Sequence, residues 1–200
     1  MHIFDKPDAY VALFTAVLAL FTLALWRSTR KLWIATRDTA KRQERDTEIL
    51  QRAYIAAELG GIRDMINGQL VGHVVFRNVG HLPATNLRDV VKKIEVQDGA
   101  WRPQTIPDTD LEEHGVLPIG VRMKKGSAGT IYPGEVQDCS IVDKYLYVWG
   151  RMTYDDGFKC RRYLNFCHRY PWAKKETPTG GGVLIREEHG RYHEYGNDAD

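Results

Sequence analysis

Hydrophobic positions run without interruption from Tyr10 to Trp26, YVALFTAVLALFTLALW, with no charged residue among them. Counted from Pro7, the run takes in about 20 residues, and at about 1.5 Å per residue it matches a hydrocarbon core about 30 Å thick. The pattern predicts a transmembrane helix contacting the lipid bilayer through residues 7–26. Pro7 suits the first helical turn, where its missing N–H has no partner to lose, and Tyr10 and Trp26 put amphipathic rings at the two interfaces. A cleaved signal peptide needs a basic segment before the run and a small-x-small site after it. Here Asp5, Lys6 and Asp8 precede the run, and Arg27, Arg30, Lys31 and Arg37 follow.

The pattern then turns polar without losing helical character. No Gly or Pro occurs between Trp26 and Gly60, and residues 27–53 are rich in Arg, Lys, Gln, Glu, Ala and Leu, all good helix formers. Asp38 with Arg42, Arg42 with Asp46 and Glu48 with Arg52 form opposite-charge i,i+4 pairs that support a helix. The membrane helix is expected to continue as a stalk. Leu32, Trp33 and Ile34 lie at one end and Ile49, Leu50 and Ala53 at the other, so no sustained apolar heptad marks a strong coiled coil. Within the span, Ala12, Ala16 and Ala19 with Thr15 and Thr22 form a small-residue stripe that would allow close helix approach. A homo-oligomer is therefore an open alternative, although Ala and Thr are also common in membrane helices.

Beyond residue 53 the pattern changes to short runs of β-branched and aromatic residues divided by Gly, Pro, Asn and Asp, which predicts strands. They are expected at 53–59, 70–79, 85–96, 128–132, 136–142, 145–154 and 158–167, with a terminal pair at 183–188 and 191–195. Residues 98–118 read as a long irregular connection. Asp155, Asp156 and Gly157 between two alternating runs predict a hairpin. Its facing sets are Leu146, Val148, Met152 and Tyr154 on one strand and Phe158, Cys160, Leu164 and Phe166 on the other. The expected fold class is mainly β with an N-terminal α segment: a transmembrane-plus-stalk helix followed by an antiparallel β-sandwich. The expected organisation is 1–26 transmembrane helix, 27–53 basic stalk and 54–200 β-sandwich domain.

Charge sharpens the division. The chain of 200 residues carries a net charge of +2, but residues 27–53 alone carry +4, and the segments before and after them are each at -1. Lys and Arg concentrate on the C-terminal side of the span, so the positive-inside rule predicts an N-terminus outside and a C-terminal domain in the cytoplasm. The near-neutral remainder gives no footprint for nucleic acid. Three Cys are too few for a disulfide framework.

Several short sequences carry a resemblance: Arg52-Ala53-Tyr54 after a polar stalk, Asn78-Val79-Gly80-His81-Leu82-Pro83-Ala84, Tyr132-Pro133-Gly134, Gly150-Arg151-Met152-Thr153-Tyr154-Asp155-Asp156, and Phe166-Cys167. Together they resemble a recurrent group of uncharacterised proteobacterial single-pass membrane proteins with an N-terminal transmembrane helix, a helical stalk and a C-terminal immunoglobulin-like β domain. The resemblance implies that fold and a bacterial inner-membrane location, and brings no activity or site residues. The chain departs from the group in the basic, Gly-rich segment around Lys174–Gly182. In the Asn78–Ala84 stretch, Asn-x-Gly is expected to supply a positive-φ turn.

No catalytic, cofactor-binding or metal-binding residues are assigned, and no cofactor is expected. Cys160 and Cys167 point to opposite faces if they share one strand, and His189 and His193 would lie about 13 Å apart on an extended strand. Cys167-His168 and a folded His189/His193 pair are the remaining metal alternatives. Asp155 and Asp156 diverge as turn neighbours. Ser127 and Ser140 lack a nucleophile elbow, and Gly180-Gly181-Gly182 lacks the Lys-Ser/Thr and helix of a phosphate loop. The expected function is a non-enzymatic interaction or accessory domain at the inner membrane with an unknown protein partner, Trp101 and Trp172 being its expected exposed aromatics. A membrane-tethered ligand sensor and a metal-dependent hydrolase are the alternatives.

Overall fold

The computed structural model describes residues 6–65, 68–92, 95–137, 143–177 and 183–200. The chain forms two compact units, Met1–Ile49 and Leu50–Asp200. Helix α1, Lys6–Gln51, runs for 46 residues without a break, as expected of a segment free of Gly and Pro after its first turn. It is long and apolar enough to cross a membrane, and every residue from Tyr10 to Gln51 is exposed.

The second unit is built from β1 (Ile55–Asp64), β2 (Leu70–Asn78), β3 (Ala84–Val91), β4 (Glu95–Gln97), β5 (Glu112–Leu117), β6 (Arg122–Gly126), a short helix α2 (Pro133–Gln137), β7 (Tyr145–Asp155), β8 (Arg161–Pro171), β9 (Leu184–Ile185), β10 (Arg191–Tyr192) and β11 (Asp198–Ala199). They make two antiparallel sheets. The first has the order β6-β2-β1-β9, and the second has the order β10-β8-β7-β3-β5, with β11 also on β8 and β4 also on β7. With β1, β2, β3, β5, β6, β7 and β8 lettered A, B, C, C′, E, F and G, the sheets are A-B-E and C′-C-F-G. That partition is the immunoglobulin-like sandwich.

The core follows from alternation. Leu146, Val148, Met152 and Tyr154 of β7 face inward together with Leu70, Val74 and Phe76 of β2 and Phe166 and Tyr170 of β8. The Phe76 and Phe166 rings meet edge-on at 5.3 Å between the sheets, a favoured aromatic geometry. Gly150 continues the inward row of β7. A methyl group there would collide with the Val90 carbonyl and the Phe166 ring, so glycine lets the large ring lie against the strand.

Several expectations change. The hairpin forms, with Asp155 paired to Arg161, but residues 156–160 make a five-residue loop in which Gly157 and Lys159 take positive φ. Cys160 is therefore off the strand and exposed, Phe158 lies in the loop, and the inward set of β8 is shifted to Leu164, Phe166, His168 and Tyr170. β5 and β6 occupy the expected irregular stretch and the residues just after it. Residues 128–132 contribute one bridge, Ile131 to Leu70, and 133–137 is helical; the rest of the expected 136–142 strand lies outside the described residues. Gly80 does not take positive φ. Glycine is required there because a Cβ would strike the backbone of residues 52–54. The fully buried Asn78 holds the same corner: its Nδ2 donates to the carbonyls of Leu82 and Leu117 at 2.8 and 3.1 Å, and its Oδ1 accepts from Gly80 N–H at 3.0 Å.

Candidate interaction surface

Each sheet has an outer face, and the two are treated differently. On the β7–β8 side, Tyr147, Trp149 and Cys167 are buried under Ile106, Trp101 and Leu111, all from the segment between β4 and β5. Trp101 packs its ring 4.9 Å from Tyr147 and 5.7 Å from Trp149. The strap is fastened by Tyr147 Oη donating to the Asp98 carbonyl at 2.7 Å and by Arg151 Nε donating to Asp108 at 2.8 Å. The C-terminal segment adds His193, whose Nε2 lies 2.6 Å from the Trp101 carbonyl, and Asn197, which exchanges two hydrogen bonds with the Cys167 backbone. This outer face is thus a second, smaller core supplied by the chain itself.

The outer face of β1, β2 and β6 has no such cover among the described residues. Its side chains include Glu58, Arg63, His73, Val75, Arg77, Arg122 and Lys124, placed by period-two alternation in β2 and β6 and, in β1, by a bulge between Leu59 and Ile62 that brings Arg63 to the same face as Glu58. Glu58 lies 3.7 Å from Arg77 and 3.3 Å from Arg122. Among the described residues, Arg63, Arg77, Arg122 and Lys124 thus share the face with Glu58, while Glu187 flanks Lys124 and lies with Glu188 along the groove beside Arg63. Opposite-charge pairs of this exposed kind contribute little to stability, while an excess of one sign sets up a field that selects partners.

At the centre lies His73. On one side it opposes the β1 bulge between Leu59 and Ile62, occupied by Gly60 and Gly61; on the other it pairs with Gly126 of β6. Both neighbours lack side chains, so the imidazole sits in a trough. Partial burial, then the nearby Lys124 and Arg63, lower its pKa to about 4, leaving it neutral at physiological pH. Gly61 takes φ of 78°, and its N–H donates to the hydroxyl of the buried Tyr170 at 3.1 Å. The bulge is therefore pinned from within. Beside it runs a half-open groove of about 230 Å³ lined by Gly60, Gly61, Arg63 and residues 184–188. Small-molecule sites usually enclose about 300–1,000 Å³, so this is a surface feature.

A second cluster closes the seam between the sheets. Asp89 of β3 is buried, with its Oδ1 3.1 Å from His114 Nε2 of β5 and 3.7 Å from Lys125 Nζ of β6. Lys125 Nζ is also 2.9 Å from the His114 ring nitrogens. Burial pushes the Asp89 carboxyl above its ordinary value, against the pull of Lys125 and His114. Three strands from two sheets contribute one residue each, so the cluster ties the sheet edges together.

The residues weighed for chemistry separate. Asp155 accepts from Asn86 Nδ2. Asp156 is buried, pairs with Arg162 Nε at 2.9 Å and accepts the N–H groups of Phe158 and Cys160. Burial opposes its ionisation, but these donors outweigh it and hold its pKa below the ordinary value. Ser127 Oγ donates to the Gly129 carbonyl at 2.7 Å and accepts from Gly72 N–H. Cys167 faces the smaller core and has its thiol pushed up to about 12 by burial, whereas His168 faces the main core. His189 is half-buried and His193 is held under Trp101. Ser140 and Gly180–Gly182 lie outside the described residues. No group of three or more His, Cys, Asp or Glu suited to a metal ion occurs among the described residues. Trp101 and Trp172 are not exposed aromatics: the first packs on two rings, and the second is 7% exposed.

Arg63, His73, Arg77, Arg122 and Lys124 carry no local sequence signal that groups them. The alternation of His73, Val75 and Arg77 in β2 is visible in the sequence, but the partners from β1 and β6 become neighbours only through long-range pairing. Comparison of the chain with family models, with curated proteins and with solved structures finds no match.

Proposed function

We propose that this is a single-pass protein of the bacterial inner membrane that carries a non-enzymatic interaction domain, and that the outer face of β1, β2 and β6 binds an acidic surface of a protein partner. The observation behind this reading is the contrast between the two outer faces. One is sealed by the chain's own aromatic strap; the other carries Arg63, Arg77, Arg122 and Lys124 against Glu58. The Lys and Arg excess after Trp26 supports a cytoplasmic domain, and the group of proteobacterial membrane proteins that the chain resembles supports the inner membrane as its location.

Proximity labelling in cells, with the full-length protein and an Arg63→Glu/Lys124→Glu variant, tests the partner reading. A set of protein neighbours should be lost in the variant while its thermal unfolding midpoint stays within a few degrees of the wild type. Identical neighbours for both proteins would refute the assignment of this face. Protease treatment of spheroplasts tests the orientation: a C-terminal tag should be protected, and digestion from outside would reverse the topology.

A further inference from the structure

Continuity of α1 from the apolar span into the charged stalk means that one helical phase applies to both. In that phase Ala12, Thr15, Ala19, Thr22, Trp26, Thr29, Trp33, Thr36, Ala40, Gln43, Thr47 and Leu50 follow one another at alternating steps of three and four residues. The spacing is a heptad repeat, and the sequence repeats with it: ALFT at 12–15 and again at 19–22, then Trp-x-x-Thr at 26–29 and again at 33–36. Within the stalk, 11 of residues 27–51 are charged; at that density seven random positions would hold about three charges. The seven stalk positions of the seam hold none.

We infer that α1 associates with α1 of a second copy of this chain, parallel and in register, along this uncharged seam. A 3.5-residue repeat is the signature of helices that wind around each other, since a seam on a single straight helix drifts by about 20° per heptad. Thr suits such a seam because its hydroxyl can be satisfied within its own helix, leaving the methyl group to pack. Thr15, Thr22, Thr36 and Thr47 do this, donating to the carbonyls of Val11, Leu18, Leu32 and Gln43 at 2.7–2.9 Å. A second copy is the occupant that the flanking residues admit. In a parallel in-register pair, Leu25 meets Arg30, Leu32 meets Arg37, Thr39 meets Glu44 and Asp46 meets Gln51, with no like-charge contact. A shared bilayer would fix that register, so the inference rests on the span reading but not on the partner reading for the sandwich. What distinguishes this seam from an apolar heptad is the exclusion of charge.

Single cysteines placed at each of residues 36–43 of the full-length protein test it in native membranes, with Cys139 and Cys160 replaced by Ser and the buried Cys167 kept. Brief oxidation should give disulfide-linked dimer in maxima at Thr36→Cys, Ala40→Cys and Gln43→Cys. Asp38→Cys and Lys41→Cys should give at least about threefold less, since disulfide formation falls steeply with Cβ separation. Adding Ala40→Glu should abolish the Gln43→Cys dimer, and adding Lys41→Glu should leave it. Membrane-bound protein with a flat profile, or with maxima in another phase, would overturn the seam alone. Protein absent from the membrane fraction would overturn the span and the seam together.

Discussion

His168 offers the clearest physical test of the sandwich core. It is fully buried, packed 5.6 Å from the Phe166 ring and 5.1 Å from the Tyr192 ring. Neither ring nitrogen has a well-aligned hydrogen-bond partner, and the Ala57 backbone only partly opposes the effect of burial. Burial lowers its pKa from 6.5 to about 4. The folded protein therefore binds fewer protons than the unfolded chain, so stability is full above 6.5 and is lost as pH falls toward 4. The whole shift corresponds to roughly 3 kcal/mol, of which about 2 kcal/mol is lost between pH 7 and pH 5. Urea unfolding of the Leu50–Asp200 unit at both pH values, for wild type and His168→Leu, isolates this contribution. His73, also displaced to about 4, and Asp89, displaced upward, are common to both proteins and cancel in the comparison. The variant should lose about 2 kcal/mol less than wild type on acidification. Equal losses would show that His168 is not the buried neutral imidazole described.

Other substitutions probe the packing and the turns. Gly150→Ala should destabilise the sandwich by about 3 kcal/mol in urea unfolding, because the methyl meets a backbone carbonyl as well as the Phe166 ring. Asp156→Ala leaves Arg162 and two turn N–H groups without their acceptor and should cost about 2–3 kcal/mol; an effect under about 0.5 kcal/mol would mean that the loop re-forms around water. Asn78→Ala should cost about 2–3 kcal/mol for the same reason at the β2–β3 corner. In the folded protein, a water-soluble maleimide should modify Cys160 rapidly, while Cys167, with its thiol buried and pushed up to about 12, should react only on unfolding.

How much could be read from the chain differed between its interior and its edges. The apolar run and the alternation of Leu146, Val148, Met152 and Tyr154 were legible because each is a local pattern in which one physical requirement dominates. β5 and β6 were not: Glu112-Glu113-His114 and Arg122-Met123-Lys124-Lys125 occupy sheet edges, where charge discourages edge-to-edge pairing and erases the hydrophobic alternation. The loop at 156–160 was misjudged because an Asp-Gly pair signals a tight turn, while here Asp156 turns inward to bind Arg162. Trp101 and Trp172 looked like surface aromatics only because their covering partners are distant in sequence. The basic face had no local signature, since β1, β2 and β6 bring it together across a bulge whose register depends on Gly60 and Gly61.

The uncovered face of β1, β2 and β6 is the proposed docking surface for a protein partner. A photo-crosslinking amino acid at Val75, between Glu58 and Lys124 in the sheet register, samples that face directly in intact cells. A discrete adduct with one protein is expected from Val75, lost in the Arg63→Glu/Lys124→Glu background and absent when the probe is moved to Gln104 on the strap over the opposite sheet. Adducts from Gln104 with none from Val75 would contradict it.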